Sequence, residues 1–369
     1  MEWETERCQE ALKALSAGCS AVAWETEDGR HLWGRNFDYN RVAADSKVTC
    51  FPPDTEFYTR GSGLDGSLDP AARRRAAYGA VGMGTTVLGS TPVLYEGLNE
   101  AGLMGGQLYY RGCARYPDAA RPGTLPLQPP FLVTLCLAAC ATVEEAARLL
   151  TEQVSLVGEP LLGTVPPLHW MFSDRTGESM VVEPDGDGLH LYRNTVGVMT
   201  NSPPYPWHRA NLLNYAHLRP LDYGAQDWGG ERLEPCFTGT GAAGLPGGWS
   251  SPARFVRLVF LRQCAARGRD EAEGAALLFR LLHSAAFPLG AVKLTEVEAD
   301  TGFDREAAPC DYTVYSSVQC AESVRFYWMT YRNTRPRFVE LPRLLEHNRI
   351  LQIPLETAPE FLDVTDRAQ

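Results

Sequence analysis

Layered antiparallel sheets with segregated helices, the α+β class, are what the sequence predicts for this chain. Two observations carry that prediction: apolar patterns of period two come in consecutive runs, and patterns of helical period come in runs of their own. Strict alternation of the two would have implied a parallel sheet. A third observation is bulk, because 369 residues, 44% of them apolar and 10% aromatic, supply core for one large unit or two ordinary ones. No Pro/Ser linker demands a split, although length alone does not settle the domain count.

The first segment, MEWETERCQEALKALSAG, has four Glu and no apolar stretch, which excludes a secretory signal and suggests a short amphipathic helix. Ser20 to Trp24 then alternates small and apolar residues, Glu27-Asp28-Gly29 turns, and His31 to Phe37 resumes the pattern, a β-hairpin starting at Cys19. Strands are expected at Tyr78 to Met83, Val93 to Leu98 and Leu103 to Tyr110, with surface loops at 45–77 and 111–128. Helices follow from Pro129 to Ala141 and from Val143 to Gln153, where Thr142 and Glu145 have capping-box spacing. From Leu168 the period returns to two: LHWMFSD, SMVVEPD, LHLYRN and VGVMTN, separated by turns, predict a four-stranded antiparallel meander. Trp207 to His217 reads as helix, and Ser251-Pro252 opens the amphipathic helix ARFVRLVFLRQCAA with Ser at its cap. A helix over Asp270 to Ala286 precedes closing strands near Tyr312 to Ser317, Val324 to Tyr331 and Arg337 to Leu341.

Thirty-four Lys+Arg against 45 Asp+Glu give a formal charge of -11, which speaks against a generic nucleic-acid partner, since a phosphate backbone needs a basic footprint. The ten cysteines form no CxxC pair, so no metal site and no disulfide scaffold is expected, and reduced thiols fit a cytoplasmic protein. The longest apolar run, Phe131 to Val143, is too short for a membrane span, and no membrane association is expected. No GxSxG, HExxH or P-loop is present, and no cofactor is expected. What stands out is Cys19 at the start of a hairpin whose second strand carries Gly34-Arg35-Asn36-Phe37-Asp38. Folding that hairpin back brings Arg35 and Asp38 near Cys19.

CSAVAWETEDGRHLWGRNFDYN resembles the amino-terminal signature of the choloylglycine hydrolase family, the bile salt hydrolases and penicillin V acylases. YEGLNEAGL at 95–103, LHWMFSDRTGESMVVE at 168–183, GVMTNSPPYPWHRANL at 197–212 and GTGAAGLPGGWSSPARFVR at 239–257 resemble successive family blocks in the same order. The resemblance implies the four-layer αββα sandwich of amino-terminal nucleophile hydrolases, as a single domain over residues 19–369, and a homotetramer. It also implies a catalytic set of Cys19 as nucleophile with Arg35, Asp38, Asn99, Asn201 and Arg254.

The chemistry fits those residue types. A thiol is a good nucleophile only as thiolate, which a cation such as Arg35 favours. A freed α-amine of Cys19 can be neutral at working pH and act as base, with Asp38 holding it. The Asn201 and Asn99 amides would then face the oxyanion. Singly, each has a plainer explanation: a strand salt bridge for Arg35 and Asp38, a turn residue for Asn99, a strand-end cap for Asn201, a solvated first-turn residue for Arg254. His169 and His208 read best as packing residues.

Here eighteen residues precede the cysteine, where the family usually has Met alone. Residues 1–18 are therefore expected to be a propeptide cut at Gly18, or to reflect a displaced start. The expected substrate is a conjugated bile salt, because Asn99 resembles the bile-salt branch where penicillin V acylases carry Tyr. Phe37, residues near 77–83, Val154 and Leu156 would wall the steroid pocket. The alternatives are penicillin V acylase or another N-acyl amidase, including acyl-homoserine lactone cleavage, and an uncleaved binding protein without catalysis.

Overall fold

The computed structural model describes residues 18–40, 46–62, 67–87, 91–161, 163–293 and 310–367. Of the expected propeptide only Gly18 lies among them. The principal strands are β1 (Gly18–Glu25), β2 (His31–Tyr39), β3 (Lys47–Phe51), β4 (Ala80–Val87), β5 (Thr91–Asn99), β6 (Met104–Tyr109), β7 (Leu168–Ser173), β8 (Ser179–Asp185), β9 (Gly188–Tyr192), β10 (Val198–Met199), β11 (Cys310–Cys320), β12 (Arg325–Thr330), β13 (Arg337–Glu340) and β14 (Leu351–Pro354). The principal helices are α1 (Leu132–Ala139), α2 (Val143–Arg148), α3 (Tyr205–Asn211), α4 (Ser251–Cys264) and α5 (Glu271–Ser284).

Two antiparallel sheets face each other. One runs β10-β1-β2-β11-β12-β13, with Val292–Lys293 added on β11; the other runs β9-β8-β7-β6-β5-β4-β3-β14. Helices α4 and α5 cover the first sheet and α1 covers the second, which makes the four layers of an αββα sandwich. The sheets meet closely where Gly106 of β6 leaves room for the Trp33 ring of β2. On the far side of β2, Gly34 lets Leu278 and Leu282 of α5 lie directly on the strand.

The hairpin β1–β2 closes at the expected turn, with Gly29 at φ 81° and Thr26 N–H donating to the Arg30 carbonyl at 3.0 Å. Thr142 caps α2 by accepting from Glu145 N–H at 3.2 Å, while the Glu145 carboxylate accepts from Ala141 N–H. Helix α4 is capped one residue earlier than expected: Ser250 accepts from Ala253 N–H and Ser251 is already inside the helix.

Three expectations need correction. The meander has three strands in the second sheet, and the fourth, β10, crosses to pair with β1 at Ala21 and Val22. Asn194 (φ 50°) and Gly197 (φ 72°) turn the chain between the layers. The presumed loop 45–77 contains β3, an interior strand of the second sheet, and the pair Glu56–Tyr58 with Arg73–Arg75. The presumed loop 111–128 contains Leu125–Leu127, which pairs in parallel with Val154–Leu156. β14, unforeseen, closes the second sheet against β3. Among the described residues no helix is long and apolar enough to cross a membrane.

Candidate active site

Cys19 lies opposite Phe37 and Ala21 lies opposite Arg35 in the β1–β2 ladder, so the thiol and the guanidinium share the face turned to the second sheet. Arg35 Nη2 donates to Cys19 Sγ at 2.8 Å. Its Nη1 donates to the Tyr95 carbonyl at 3.2 Å and to Glu96 Oε2 at 2.5 Å, both on β5. The guanidinium also rests 4.9 Å over the Phe37 ring. Asp38 lies opposite Gly18 and therefore belongs to the other face, where Ser20 and helix α4 are found.

On that face Arg254, in the first turn of α4 and 2% exposed, donates through Nη1 to the Cys19 carbonyl and to Ser20 Oγ. Its Nη2 donates to Asn201 Oδ1 at 2.6 Å, and its Nε to the Trp249 carbonyl at 2.8 Å. Asn201 Oδ1 also accepts from Cys19 N–H at 3.1 Å, and Asn201 Nδ2 donates to the Tyr109 carbonyl at 2.8 Å. Ser251 Oγ accepts from Asn201 N–H, and the Asn201 carbonyl accepts from His208 Nε2–H at 2.9 Å. Asp38 Oδ1 accepts from Thr313 Oγ1–H at 2.6 Å, while Oδ2, 3.9 Å from Arg254 Nη1, has no hydrogen-bond partner among the described residues. Val314 has no counterpart in β2, and this bulge sets Thr313 against Asp38.

Burial dominates the electrostatics. It pushes the Cys19 thiol up to about 11, although Arg35 pulls the other way. Burial likewise raises Asp38 against the opposing pull of Arg254 and Thr313. Arg35 resists the same desolvation because Cys19 and Glu96 lie beside it, and its pKa moves up. In the Arg35–Glu96 pair burial raises the Glu96 pKa as well, yet three donors converge on the carboxyl and it has no proton to offer any of them, so it is read as carboxylate.

Five of the expected residues thus converge: Cys19, Arg35, Asp38, Asn201 and Arg254. Asn99 does not join them. Both protons of its Nδ2 go to the carbonyls of Leu137 and Cys140 at the end of α1, and its Oδ1 accepts from Ala101 and Leu103 N–H in the β5–β6 turn. Its amide has no proton left for an oxyanion, and its contacts are those of the plainer turn reading. Phe37 is 2% exposed and packs between Tyr315 and Tyr95, so it underlies Arg35 and does not belong to the cavity that Val154 and Leu156 line. Val154 and Leu156 do line a cavity of about 720 Å³, with Leu150, Tyr116, Arg121 and Leu189. None of the five convergent residues borders it, so this cavity is not the mouth of the thiol site.

His169 stacks on Tyr110 at 4.5 Å and accepts no catalytic contact, bonding Glu183 and the Thr200 carbonyl. Sequence reasoning passed over Glu96, although a lone carboxylate inside the apolar strand VLYEGL was a legible signal. Thr313 and Ser251 carried no such signal. No group of three or more His, Cys, Asp or Glu is placed to hold a metal ion among the described residues.

A family model described as linear amide C–N hydrolases, choloylglycine hydrolase family, matches residues 19–348. The chain is 29% identical over 325 residues to a bile salt hydrolase/transferase of Clostridium perfringens, covering 88% of this chain and 92% of that one. It is 30% identical over 318 residues to a conjugated bile acid hydrolase of Lactobacillus acidophilus, covering 84% and 91%. Its structure is similar to that of a mutant conjugated bile acid hydrolase from Clostridium perfringens, with a TM-score of 0.82, 28% identity and coverage of 94% and 100%. It is also similar to penicillin V acylase from Agrobacterium tumefaciens, with a TM-score of 0.68, 20% identity and 90% of each chain covered, a likeness of fold.

Proposed function

The chain belongs to the choloylglycine hydrolase family of linear amide C–N hydrolases, and from that premise we propose that it cleaves the amide of glycine- or taurine-conjugated bile acids. Cys19 is the nucleophile in this reading, acting as the first residue of the chain once residues 1–18 are removed. One observation carries it: the nitrogen and the sulfur of the same residue are addressed by separate partners, Asn201 on the nitrogen and Arg35 on the sulfur.

A thiol pushed up to about 11 holds its proton at neutral pH and needs a base. The α-amine of a trimmed Cys19, with an ordinary pKa of roughly 7.7–8.0, is that base. Within the uncut chain the Cys19 amide has one proton, which Asn201 Oδ1 accepts; a freed amine has more, and Asp38 Oδ2 is the acceptor without a bond. The amine takes the thiol proton as Sγ bonds to the carbonyl carbon of the substrate. The oxyanion takes the second proton donor of Asn201 Nδ2. Collapse breaks the C–N bond while the amine returns the proton to the departing glycine or taurine nitrogen. Water then opens the thioester by the same route, leaving free bile acid and the thiol.

Removal of residues 1–18 by Cys19 itself fits the same geometry, since Gly18 lies against Asp38 and Asn201 Oδ1. The enzyme is assigned to the cytoplasm, where a reactive thiol stays reduced. Its assembly is assigned as a homotetramer.

Penicillin V acylase is the second reading, and a specific observation favours it. The residue beside Asn201 is Tyr109, while Asn99, on which the preference for bile salts rested in the sequence, lies in a turn. The names of the curated relatives near 29% identity weigh for bile salts. A hydrolysis panel of glycocholate, taurocholate, penicillin V and a long-chain acyl-homoserine lactone decides, run on protein whose amino terminus is fixed by intact mass. Bile salts should lead penicillin V by about tenfold in kcat/KM. The opposite order moves the assignment to the acylase, and full activity from a chain still carrying residues 1–18 removes the amine-base mechanism.

A further inference from the structure

We propose that Glu96 is a positioning residue for the nucleophile: its buried carboxylate fixes Arg35 and supplies the counter-charge that keeps the Cys19 thiol protonated until the amine takes the proton. The proposal rests on Cys19 acting as the nucleophile.

Glu96 is wholly buried and receives three donors: Arg35 Nη1 at 2.5 Å, Tyr315 O–H at 2.9 Å and Ser317 O–H at 3.0 Å. Tyr315 and Ser317 lie on β11, Arg35 on β2 and Glu96 on β5, so the carboxylate ties the two sheets together under the thiol. A bulge sets it there. Glu96 pairs with Met83 and Leu94 with Gly84, which leaves Tyr95 without a counterpart in β4. The extra residue turns both the Tyr95 carbonyl and the Glu96 carboxylate toward one arm of Arg35, and the other arm then points at Sγ.

The charges around the thiol come from every packed element. β2 contributes Arg35 and Asp38, α4 contributes Arg254, β5 contributes Glu96, and β11 contributes the neutral Tyr315 and Thr313. With the α-amine of trimmed Cys19 neutral, two cations face two anions, which leaves a neutral thiol in balance. Without Glu96 one cation is uncompensated at 2.8 Å from Sγ, and the equilibrium moves toward the thiolate. A thiolate beside a neutral amine has lost the proton that the amine must carry to the leaving group.

The test reads Cys19 directly, by brief iodoacetamide alkylation of trimmed protein from about pH 6 to about pH 12, followed at the Cys19 peptide by mass spectrometry. Glu96→Gln should lower the alkylation midpoint by about one pH unit or more, ~tenfold in thiolate at a given pH on the rising limb. Glu96→Asp, which keeps the charge, should bring the midpoint back toward that of the wild type. Tyr315→Phe removes a donor to Glu96 without changing charge, so it should lower Tm and leave the midpoint in place. A Glu96→Gln midpoint equal to or above that of the wild type overturns the proposal. Should Glu96→Gln fail to fold, the pair is tested by Arg35→Met against Arg35→Met/Glu96→Gln. The double variant must then have the higher Tm, and a lower one overturns the coupling. Amide hydrolysis retained by Cys19→Ala would remove the nucleophile reading instead, a result independent of these midpoints.

Discussion

Asn201 and Asn99 show one side-chain amide serving two unrelated ends. Asn201 accepts from Cys19 N–H and from Arg254 and keeps one N–H uncommitted, whereas Asn99 spends all its capacity on a turn and a helix end. Asn201→Ala should lower kcat by ~10²–10³ with KM nearly unchanged, the mark of a donor used only in the transition state. Asn99→Ala should cost about 2–4 kcal/mol of stability through orphaned buried carbonyls and leave kcat/KM within about threefold, measured by urea melts and steady-state kinetics. Loss of kcat in Asn99→Ala at intact stability would restore it to the site. His208 carries the pH argument. Burial lowers its pKa from the usual 6.5 to about 4, and its Nε2–H is committed to the Asn201 carbonyl. Between those values the unfolded chain binds a proton that the fold refuses, so stability is full above about pH 6.5 and falls by about 3 kcal/mol as the pH drops to about 4. His208→Gln should flatten that limb of the denaturation profile. The five convergent residues were legible because their blocks carry recognisable side chains at fixed spacing. Asn99 misled because an Asn in a turn-like NEAG quartet looks the same in sequence whether its amide is free or consumed.

Bulges and close approaches decide how the elements aim those residues. Tyr95 in β5 and Val314 in β11 are each one residue too many for the neighbouring strand, and each sits where a carboxylate must be addressed, Glu96 in one case and Asp38 in the other. Gly82, opposite Gly97, makes the first bulge possible, since a Cβ there would run into the Glu96 carbonyl. Gly82→Ala should therefore cost about 1–3 kcal/mol and lower kcat by disturbing the Arg35 arm, read from Tm and turnover together. Gly186→Ala, with open space around its Cβ, should change stability by less than about 0.5 kcal/mol. Equal effects of the two would show that crowding at the bulge is not the cause. Strands with period-two patterns and helices with caps were readable from the sequence. β3 was not, because five residues followed by Pro52-Pro53 look like a loop, and its place depends on β4 and the distant β14. β10 was assigned to the wrong sheet because a strand pattern fixes which face is apolar and says nothing about which layer the strand joins.

At the scale of the whole molecule, half of the large apolar side chains exposed among the described residues fall in one segment. Trp207, Leu213, Leu221, Trp228, Leu233 and Phe237 all lie in residues 205–237 and are 46% to 78% exposed. The hairpin Gln226–Trp228 with Glu231–Leu233 is exposed along both strands, and a lone two-stranded ribbon is marginal in water. Scattered exposed apolar residues need no explanation, but six in one short segment are the kind of surface that a partner would bury. Other copies of this chain would be the occupant in the homotetramer proposed above, and assembly would then be tied to the site, since the segment joins the Asn201 turn to helix α4 with Arg254. Native mass spectrometry of the trimmed protein should give four chains, and Trp228→Asp/Phe237→Asp should shift the population to smaller species. Because the segment lies between Asn201 and Trp249, whose carbonyl holds Arg254 Nε, a variant that dissociates should also lose several degrees in Tm and part of its kcat. A wild-type protein that stays monomeric at micromolar concentration would mean that this apolar surface serves some other contact, and the tetramer would have to be given up.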